Sequence, residues 1–210
     1  MATGLLVLAN TAVASPTTIV VTTVATGNPD FGNVSVDGYG SPWTTPILMT
    51  DTKGQTLVVF CDDLNHDVFV AGGQTLPYVF EPVTVNGLGV PLMPHISNEM
   101  GQLADIGIYD YHKGDEAGAE AAQAAIWGIE YGVGVSSTDP TIESDIVRDL
   151  KIKDNGRGLA TGIVPAMGFA QQAQITGGVP EPATWAMMLI GFGGLGAAMR
   201  SRRKPAAATA

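Results

Sequence analysis

Residues 55–61, QTLVVFC, form the clearest strand signal in the chain. Their unbroken apolar run is rich in β-branched and aromatic side chains, which is typical of a strand covered on both faces. Further strand signals precede and follow it, at residues 17–24, 33–39, 67–71, 78–85 and 167–175. Pro82 interrupts one of these segments and indicates an edge strand or a bulge. Together they predict a mainly β body.

Between residues 95 and 150 the apolar spacing changes to a helical period. Ser97 is the expected N-cap of a first helix, whose apolar face would be made by Met100, Leu103, Ile106 and Tyr109. Residues 113–115, Lys-Gly-Asp, break this helix. A second helix is expected over residues 116–130, with Gly132 as its stop. Its inward side chains would be Ala122, Ala125, Ile126 and Ile129.

A third helix is expected to begin at Asp139-Pro140, because proline suits the first helical position. Asn155-Gly156 would end it, and one buried stripe would hold Ile142, Ile146 and Leu150. The predicted fold class is therefore α+β and mainly β, a β-sandwich or barrel with a helical insertion between residues 95 and 150.

Cys61 is the one cysteine of the chain, so no intramolecular disulfide can form. Phe60 precedes it, and Gln123 lies on the second predicted helix, four residues before Trp127. That spacing puts Gln123 and Trp127 on one helix face, where the indole could cover the amide. A thiolate is a good nucleophile and a primary amide a poor electrophile, so a reaction between them requires that both be held together and dry.

Residues 60–132 resemble bacterial surface thioester domains, in which an aromatic-Cys pair is followed by a Gln-x-x-Ile-Trp type helix. The resemblance implies an internal thioester between the Cys61 sulfur and the Gln123 side-chain carbonyl, shielded by Phe60 and Trp127. Its partner would be an amine-bearing surface protein or polysaccharide. The chain departs from the pattern at Ala122, where threonine is common. The alternative interpretation is that Cys61 is a small buried apolar residue, Gln123 is solvent-exposed and Trp127 belongs to the core.

An acidic group follows the cysteine, made of Asp62, Asp63, Asn65, His66 and Asp67. It lacks the spacing of a calcium loop, so we expect a solvated turn and neither a metal nor a cofactor. Asp62 or His66 could assist proton transfer at the thioester. A Cys/His hydrolase using His66, His95 or His112 lacks any local signature, and no enzymatic activity is predicted.

Residues 15–178, called the ectodomain below, carry a net charge of −13 from 19 acidic and 6 basic residues. Such a surface repels nucleic acid and anionic lipid headgroups, so neither is an expected ligand. Residues 1–14 combine a short apolar core with Ala12-Val13-Ala14, a small-residue pattern that predicts signal-peptide cleavage after Ala14. The basic n-region is missing, which indicates either an upstream start or a truncated chain.

Residues 179–204 read VPEPATWAMMLIGFGGLGAAMRSRRK and contain three unlike pieces. A proline-rich opening is followed by an uncharged apolar run, which predicts a transmembrane helix over residues 184–200, and by a basic cluster of Arg200, Arg202, Arg203 and Lys204. The segment resembles the PEP-CTERM sorting signal in its PEPxxWA form, through Pro180, Glu181, Pro182, Trp185 and Ala186. Residues 205–210 would be a disordered tail.

The PEP-CTERM resemblance implies export, with the chain anchored transiently in the inner membrane and then moved to the cell surface or extracellular matrix. An exosortase-type membrane protease would recognise the signal and cut near Pro182. Two functions remain open for the ectodomain. One is a covalent, adhesin-like binding module that uses the thioester, and the other is a structural matrix protein with a free buried cysteine.

Overall fold

The computed structural model describes residues 18–26, 34–65, 76–156, 160–165 and 173–177. The strands are Thr18–Thr26 (β1), Val34–Val36 (β2), Ile47–Asp51 (β3), Thr56–Cys61 (β4), Leu76–Pro82 (β5), Val135–Ser137 (β6), Thr161–Pro165 (β7) and Gln174–Thr176 (β8). The helices are Pro94–Lys113 (α1), Glu116–Tyr131 (α2) and Pro140–Asp149 (α3). The predicted strand at residues 67–71 lies outside the described residues.

Six strands close into an antiparallel barrel in the order β1-β3-β4-β8-β7-β5. The register of β1 against β3 shifts between Val21 and Thr23, an irregularity of the kind that bends a strand around a barrel. The prediction of a mainly β fold is confirmed, and a barrel forms rather than a sandwich. β2 and β6 form a separate two-stranded sheet.

Three strands of the described chain were not predicted, namely β3, β6 and β7. β3 begins directly after Pro46. In the sequence this proline is typical of a loop, but in the structure it immediately precedes the strand. Pro82 is the last residue of β5, where it pairs with Thr161 of β7. The predicted strand over residues 33–39 is shorter, because a turn follows Val36 and the chain folds back to bridge Gly40 to it.

The helical insertion is confirmed, and it also carries β6. The prediction that Ser97 caps α1 is wrong, since Met93 is the N-cap and the helix begins at Pro94, whose missing N–H suits the first helical position. Ser97 is buried inside the first turn, and its Oγ accepts a hydrogen bond from the Ala160 N–H at 3.2 Å. Tyr109, expected on the apolar face, is largely exposed.

The predicted helix ends around α2 are confirmed. Gly114 closes α1 and Gly132 closes α2, both in the left-handed conformation that glycine adopts at low cost. The Asp139 carboxylate caps α3 by accepting from the N–H groups of Thr141 and Ile142. Two corrections concern the other end of α3: the helix stops at Asp149, and Leu150 is 37% exposed rather than part of the buried stripe.

α2 is the central helix of the ectodomain, because residues 118–128 are buried on every face. Its side chains enter both apolar clusters of the described core. One cluster contains Ala121, Ala124 and Trp127 with Cys61 of β4. The other contains Ala125 and Ile126 with Phe60 and residues of α1. This placement sets the middle of α2 against the end of β4.

Candidate functional site

Cys61 lies at the end of β4, where one of its two neighbouring strands has stopped. On one side the Asp62 N–H donates to the Ala173 carbonyl, continuing from the pairing of β4 with β8. Successive residues of a strand direct their backbone groups to alternate sides, so those of Cys61 face β3. The pairing of β3 with β4 ends at Ile47, opposite Val59, so β3 provides no partner for the backbone of Cys61.

The Gln123 side chain fills the place that β3 leaves empty. The Cys61 N–H donates to Gln123 Oε1 at 2.7 Å, and Gln123 Nε2 donates to the Cys61 carbonyl at 2.8 Å. Both distances are those of good hydrogen bonds. Because Gln123 is 0% exposed, no water competes for them. The side-chain amide therefore behaves as one further peptide group of the sheet, and it joins α2 to the barrel.

The Cys61 thiol is buried. Its Sγ donates to the Asp63 carbonyl at 3.1 Å, two residues along the chain. Burial raises the pKa of the Cys61 thiol well above its usual value, and the charges of Asp62 and Glu130 raise it further. The thiol form is therefore favoured over the thiolate.

The two predicted shielding residues are both buried, on different sides of β4. Trp127 shares one apolar cluster with Cys61, and its indole Nε1–H has no hydrogen-bond partner among the residues that the structure describes. Phe60 belongs to the neighbouring cluster and lies against Gly107 of α1, where an added Cβ would meet its ring. Their role as shields remains a prediction.

The expectation of a solvated turn after the cysteine is wrong for Asp62 and Asp63, which are buried. Burial, followed by the charge of Asp63, raises the pKa of Asp62 to about 7. Glu130 of α2 is also buried, and burial followed by the charge of Asp62 raises the pKa of its carboxyl well above the usual range. Two carboxyl groups with raised pKa values therefore lie near the thiol, since both act on its pKa.

Tyr131 and Gly87 tie this acidic region to the rest of the site. The Tyr131 hydroxyl donates to the Asp62 carbonyl at 2.8 Å and accepts from the Leu64 N–H at 3.4 Å. Gly87 packs directly on the same turn, because a Cβ there would come within 2.9 Å of the Asp62 carbonyl oxygen. The Gly87 N–H donates to Glu130 Oε1 at 3.1 Å.

The sequence analysis did not single out Glu130, Tyr131 or Gly87. Glu130 could have been found, since it is seven residues after Gln123 and so shares its face of the helix. No local signal connects the Asn86-Gly87 turn with Cys61, because only the tertiary fold brings them together.

Of the three histidines considered for a hydrolase, two are exposed on α1 and the third lies outside the described residues. His95 and His112 are exposed near opposite ends of α1, while Cys61 is buried. His66 and Asp67 lie outside the described residues. In the part of the chain that the structure describes, no three His, Cys, Asp or Glu side chains are grouped as metal ligands.

Three comparisons bear on the family of this chain. Residues 178–204 match the model of the PEP-CTERM protein-sorting motif. Comparison with curated proteins finds no match. Among solved structures, the chain is similar to the N-terminal thioester domain of a surface protein from Clostridium perfringens, with 14% identity and a TM-score of 0.39 over 70% of this chain and 96% of that one.

Both terminal segments lie outside the described residues, including the predicted signal peptide, the helix at 184–200, Trp185 and the basic cluster. Within the ranges that are described, no helix is both long and apolar enough to cross a bilayer. The matched motif itself implies export. Residues 178–204 thus carry a PEP-CTERM sorting signal, a kind processed by the membrane protein exosortase, and the chain is an exported protein.

Proposed function

We propose that the ectodomain forms an internal thioester between Cys61 Sγ and the side-chain carbonyl carbon of Gln123, and that the exported protein uses it to acylate an amine on a partner. The observation that carries this proposal is the pair of hydrogen bonds, 2.7 and 2.8 Å long, that holds the Gln123 amide against Cys61. The electrophile and the residue that bears the nucleophile are thereby kept in one geometry.

The same hydrogen bonds favour the chemistry. When sulfur attacks, negative charge develops on Gln123 Oε1, the atom that already accepts from the Cys61 N–H. A backbone N–H at this position acts as an oxyanion donor. The S–C bond forms, the C–N bond breaks, and the amide nitrogen leaves as ammonia with the thiol proton. The raised pKa of the thiol means that this proton must be removed within the site.

Burial protects the product. Gln123 is fully buried and Cys61 nearly so, with Trp127 in the same apolar cluster. A thioester in such surroundings is kept from water, which would otherwise hydrolyse it. It would react once, with an amine that reaches it, and the protein would not turn over as an enzyme does.

The sorting signal supports a role outside the cell, where an amine-bearing protein or polysaccharide would be the partner. In this proposal the chain loses residues 1–14, is held in the inner membrane by residues 184–200 and is cut near Pro182. It then reaches the cell surface or the extracellular matrix. Peptide mapping of the mature termini tests these steps, and a surface form that still contains Trp185 and Lys204 would refute the C-terminal cut.

A structural matrix protein is the second candidate. In its favour, the Gln123 amide already forms hydrogen bonds with both the N–H and the carbonyl of Cys61. These bonds can hold α2 against the barrel without any covalent bond. The buried thiol would then be inert, as most buried cysteines are.

Intact mass distinguishes the two candidates. A thioester lowers the mass of the purified protein by one ammonia, and methylamine adds to it, which exposes one thiol and leaves the mass one methylene above the calculated value. Cys61→Ala and Gln123→Ala should both abolish the deficit. Gln102→Ala is the matched control, since Gln102 lies on α1 and its side-chain amide donates to the Asn98 carbonyl of its own helix. A protein of full calculated mass, whose Cys61 is alkylated once it is unfolded and before any amine is added, would leave the matrix protein as the remaining candidate.

A further inference from the structure

A short hairpin, residues 84–92, lies between β5 and α1. At its base the Leu92 N–H donates to the Thr84 carbonyl at 2.9 Å. Nearer the tip, the Asn86 N–H donates to the Val90 carbonyl at 2.9 Å, and Asn86 Oδ1 accepts from the Val90 N–H at 2.9 Å. The hairpin is therefore held together by its own hydrogen bonds, so it can move as one unit.

The tip of the hairpin lies on Asp62 and Asp63, the two residues that follow Cys61. A Cβ added to Gly87 would come within 2.9 Å of both the Asp62 carbonyl oxygen and the Asp63 Cα, and it would overlap the Tyr131 hydroxyl. The Asp63 carbonyl is also the group that accepts from Cys61 Sγ, at 3.1 Å. The hairpin thus covers the residue that holds the thiol in place.

Among the described residues, few contacts hold the tip in this position. Gly87 has no side chain to insert into the body, and its N–H makes a single hydrogen bond, to Glu130 Oε1 at 3.1 Å. The neighbouring side chains of Leu88 and Val90 are 55% and 52% exposed, so they bury little apolar surface. A segment with so few buried contacts opens at a lower free energy than the whole fold.

The closed position keeps two carboxyl groups away from water. Asp62 and Glu130 are each 4% exposed. One oxygen of each, Asp62 Oδ1 and Glu130 Oε2, accepts no hydrogen bond within the part of the chain that the structure describes. Ionised oxygens buried in this way cost free energy, and the cost disappears when water reaches them. Ionisation of these carboxyls therefore favours opening.

We propose that the hairpin of residues 84–92 is a lid over Cys61, and that its opening admits small molecules from solvent to the cysteine side chain. This movement requires no covalent chemistry. A second part rests on the proposed thioester: a primary amine reaches the Gln123 acyl carbon through the same opening. Its nitrogen bonds to that carbon, the C–S bond breaks, and one amine proton passes to the sulfur. The lid would then control how fast the thioester reacts.

Opening of the lid should depend on pH. The hairpin itself has no ionisable residue, and the titratable groups around Asp62 are Cys61, Asp63, Glu130, Tyr131 and, on the wall of a small cavity, Glu81. Burial, followed by the charge of Asp63, raises the pKa of Asp62 from 3.8 to about 7 in the closed state. The closed state is therefore stabilised by protonation and loses this contribution as pH rises through 7. If opening hydrates Asp62 fully, the open population grows about 10-fold between pH 6 and pH 8.

The first experiment measures access to the thiol in the full chain. Treatment with methylamine and its removal leave a free Cys61 thiol whether or not a thioester was present. The rate of alkylation by iodoacetamide is divided by the rate for the unfolded protein at the same pH, which corrects for ionisation of the thiol. We expect this alkylation ratio to rise with urea less steeply than the equilibrium constant of global unfolding, because lid opening exposes less surface. Equal slopes would mean that Cys61 reacts only through global unfolding, which overturns the lid.

Gly87→Ala tests the contact itself. The backbone of Gly87 lies outside the left-handed region, so alanine adds a steric overlap without backbone strain. We expect the alkylation ratio to rise about 10-fold or more, as for a methyl group forced into a filled contact. Leu88→Ala, at an exposed residue of the same hairpin, should change it less than about 2-fold. A ratio unchanged by Gly87→Ala overturns the lid, and if this variant does not fold, the urea dependence of the wild type decides.

Asp62→Asn tests the pH dependence. It should remove most of the rise in the alkylation ratio between pH 6 and pH 8, because the titrating carboxyl is gone. A rise as steep as that of the wild type overturns the role of Asp62 in opening.

The second experiment follows methylamine uptake by the thioester form at pH 8. Gly87→Ala should take up methylamine about 10-fold faster than the wild type or more, and Leu88→Ala at the wild-type rate. Equal uptake, together with faster alkylation of the freed thiol in Gly87→Ala, overturns the second part and leaves the lid standing. A wild type without the ammonia deficit overturns the second part together with the proposed function, whereas a raised alkylation ratio in Gly87→Ala would still support the lid.

Discussion

Two buried polar pairs lie next to each other in this protein and differ in how well they are satisfied. Gln123 and the Cys61 backbone match donor to acceptor twice. One residue further along, Asp62 and Glu130 each have one buried carboxyl oxygen to which no group in the described part of the chain donates. The first arrangement stabilises the fold, and the second costs free energy. The contrast shows that a buried polar pair in this fold can add stability or reduce it, depending on whether its donors and acceptors are matched.

Gln123→Ala tests the satisfied pair and should have the largest effect. It leaves the N–H and the carbonyl of Cys61 without partners inside the core, at about 1–3 kcal/mol each, and opens a cavity. We expect the free energy of unfolding to fall by about 4 kcal/mol, measured by denaturant titration. Gln102→Ala, a partly exposed glutamine on α1, should cost less than 1 kcal/mol by the same reasoning. Equal effects of the two variants would mean that the amide does not hold α2 to the barrel.

Ile146→Ala provides an apolar reference for that value. Ile146 is fully buried on α3, so its truncation should lower the free energy of unfolding by about 3 kcal/mol. Val147→Ala, at an exposed neighbour on the same helix, should change it by about 0.5 kcal/mol or less. If Ile146→Ala leaves the denaturation midpoint where it was, α3 does not pack against the core as described.

Much of this architecture follows from local sequence signals. A few neighbouring residues are enough to predict the strand that ends in Cys61. The same is true of the helix start at Asp139 and of the helix end at Gly132. β3 and β7 were missed because a short strand in a barrel is defined by its neighbours rather than by its own pattern.

The candidate site likewise contains residues that the sequence predicted and residues that only the fold reveals. Cys61, Gln123 and Trp127 were singled out from sequence, and the fold sets the first two in direct contact. The burial of Asp62 could not be read locally, because an aspartate pair in a turn is ordinarily solvated. It is the packing of Gly87 and α2 over that turn that removes the water.

Because of Asp62 and Glu130, the free energy of unfolding should fall as pH rises. The folded-state pKa of Asp62 is raised to about 7 from an unfolded value of 3.8, so the folded protein binds the proton more tightly. Its contribution is complete below pH 4 and is lost as pH rises through 7. Between pH 5 and pH 8 we expect a loss of about 2 kcal/mol, and Glu130 and Asp149, whose pKa values are also raised, act in the same direction.

Asp62→Asn is the matched variant for this pH dependence. It removes the titrating group and should flatten the fall in unfolding free energy between pH 5 and pH 8, measured by denaturant titration at each pH. A slope as steep as that of the wild type would show that Asp62 is not the group responsible.

The smallest expected effect separates the geometry of a hydrogen-bonded pair from its burial. Asp139 Oδ1 accepts from two backbone N–H groups, those of Thr141 at 2.7 Å and Ile142 at 3.3 Å, at the surface end of α3. Gln123 also makes two side-chain bonds to the backbone, but in the core. Removing the surface acceptor exposes the N–H groups to water, which replaces it, so Asp139→Ala should cost only about 1 kcal/mol. A value near that of Gln123→Ala would mean that the number of bonds, and not the exclusion of water, decides what a polar pair contributes here. Asp139→Asn retains an acceptor and should return most of the loss, which distinguishes capping from the charge of the carboxylate near the helix N-terminus.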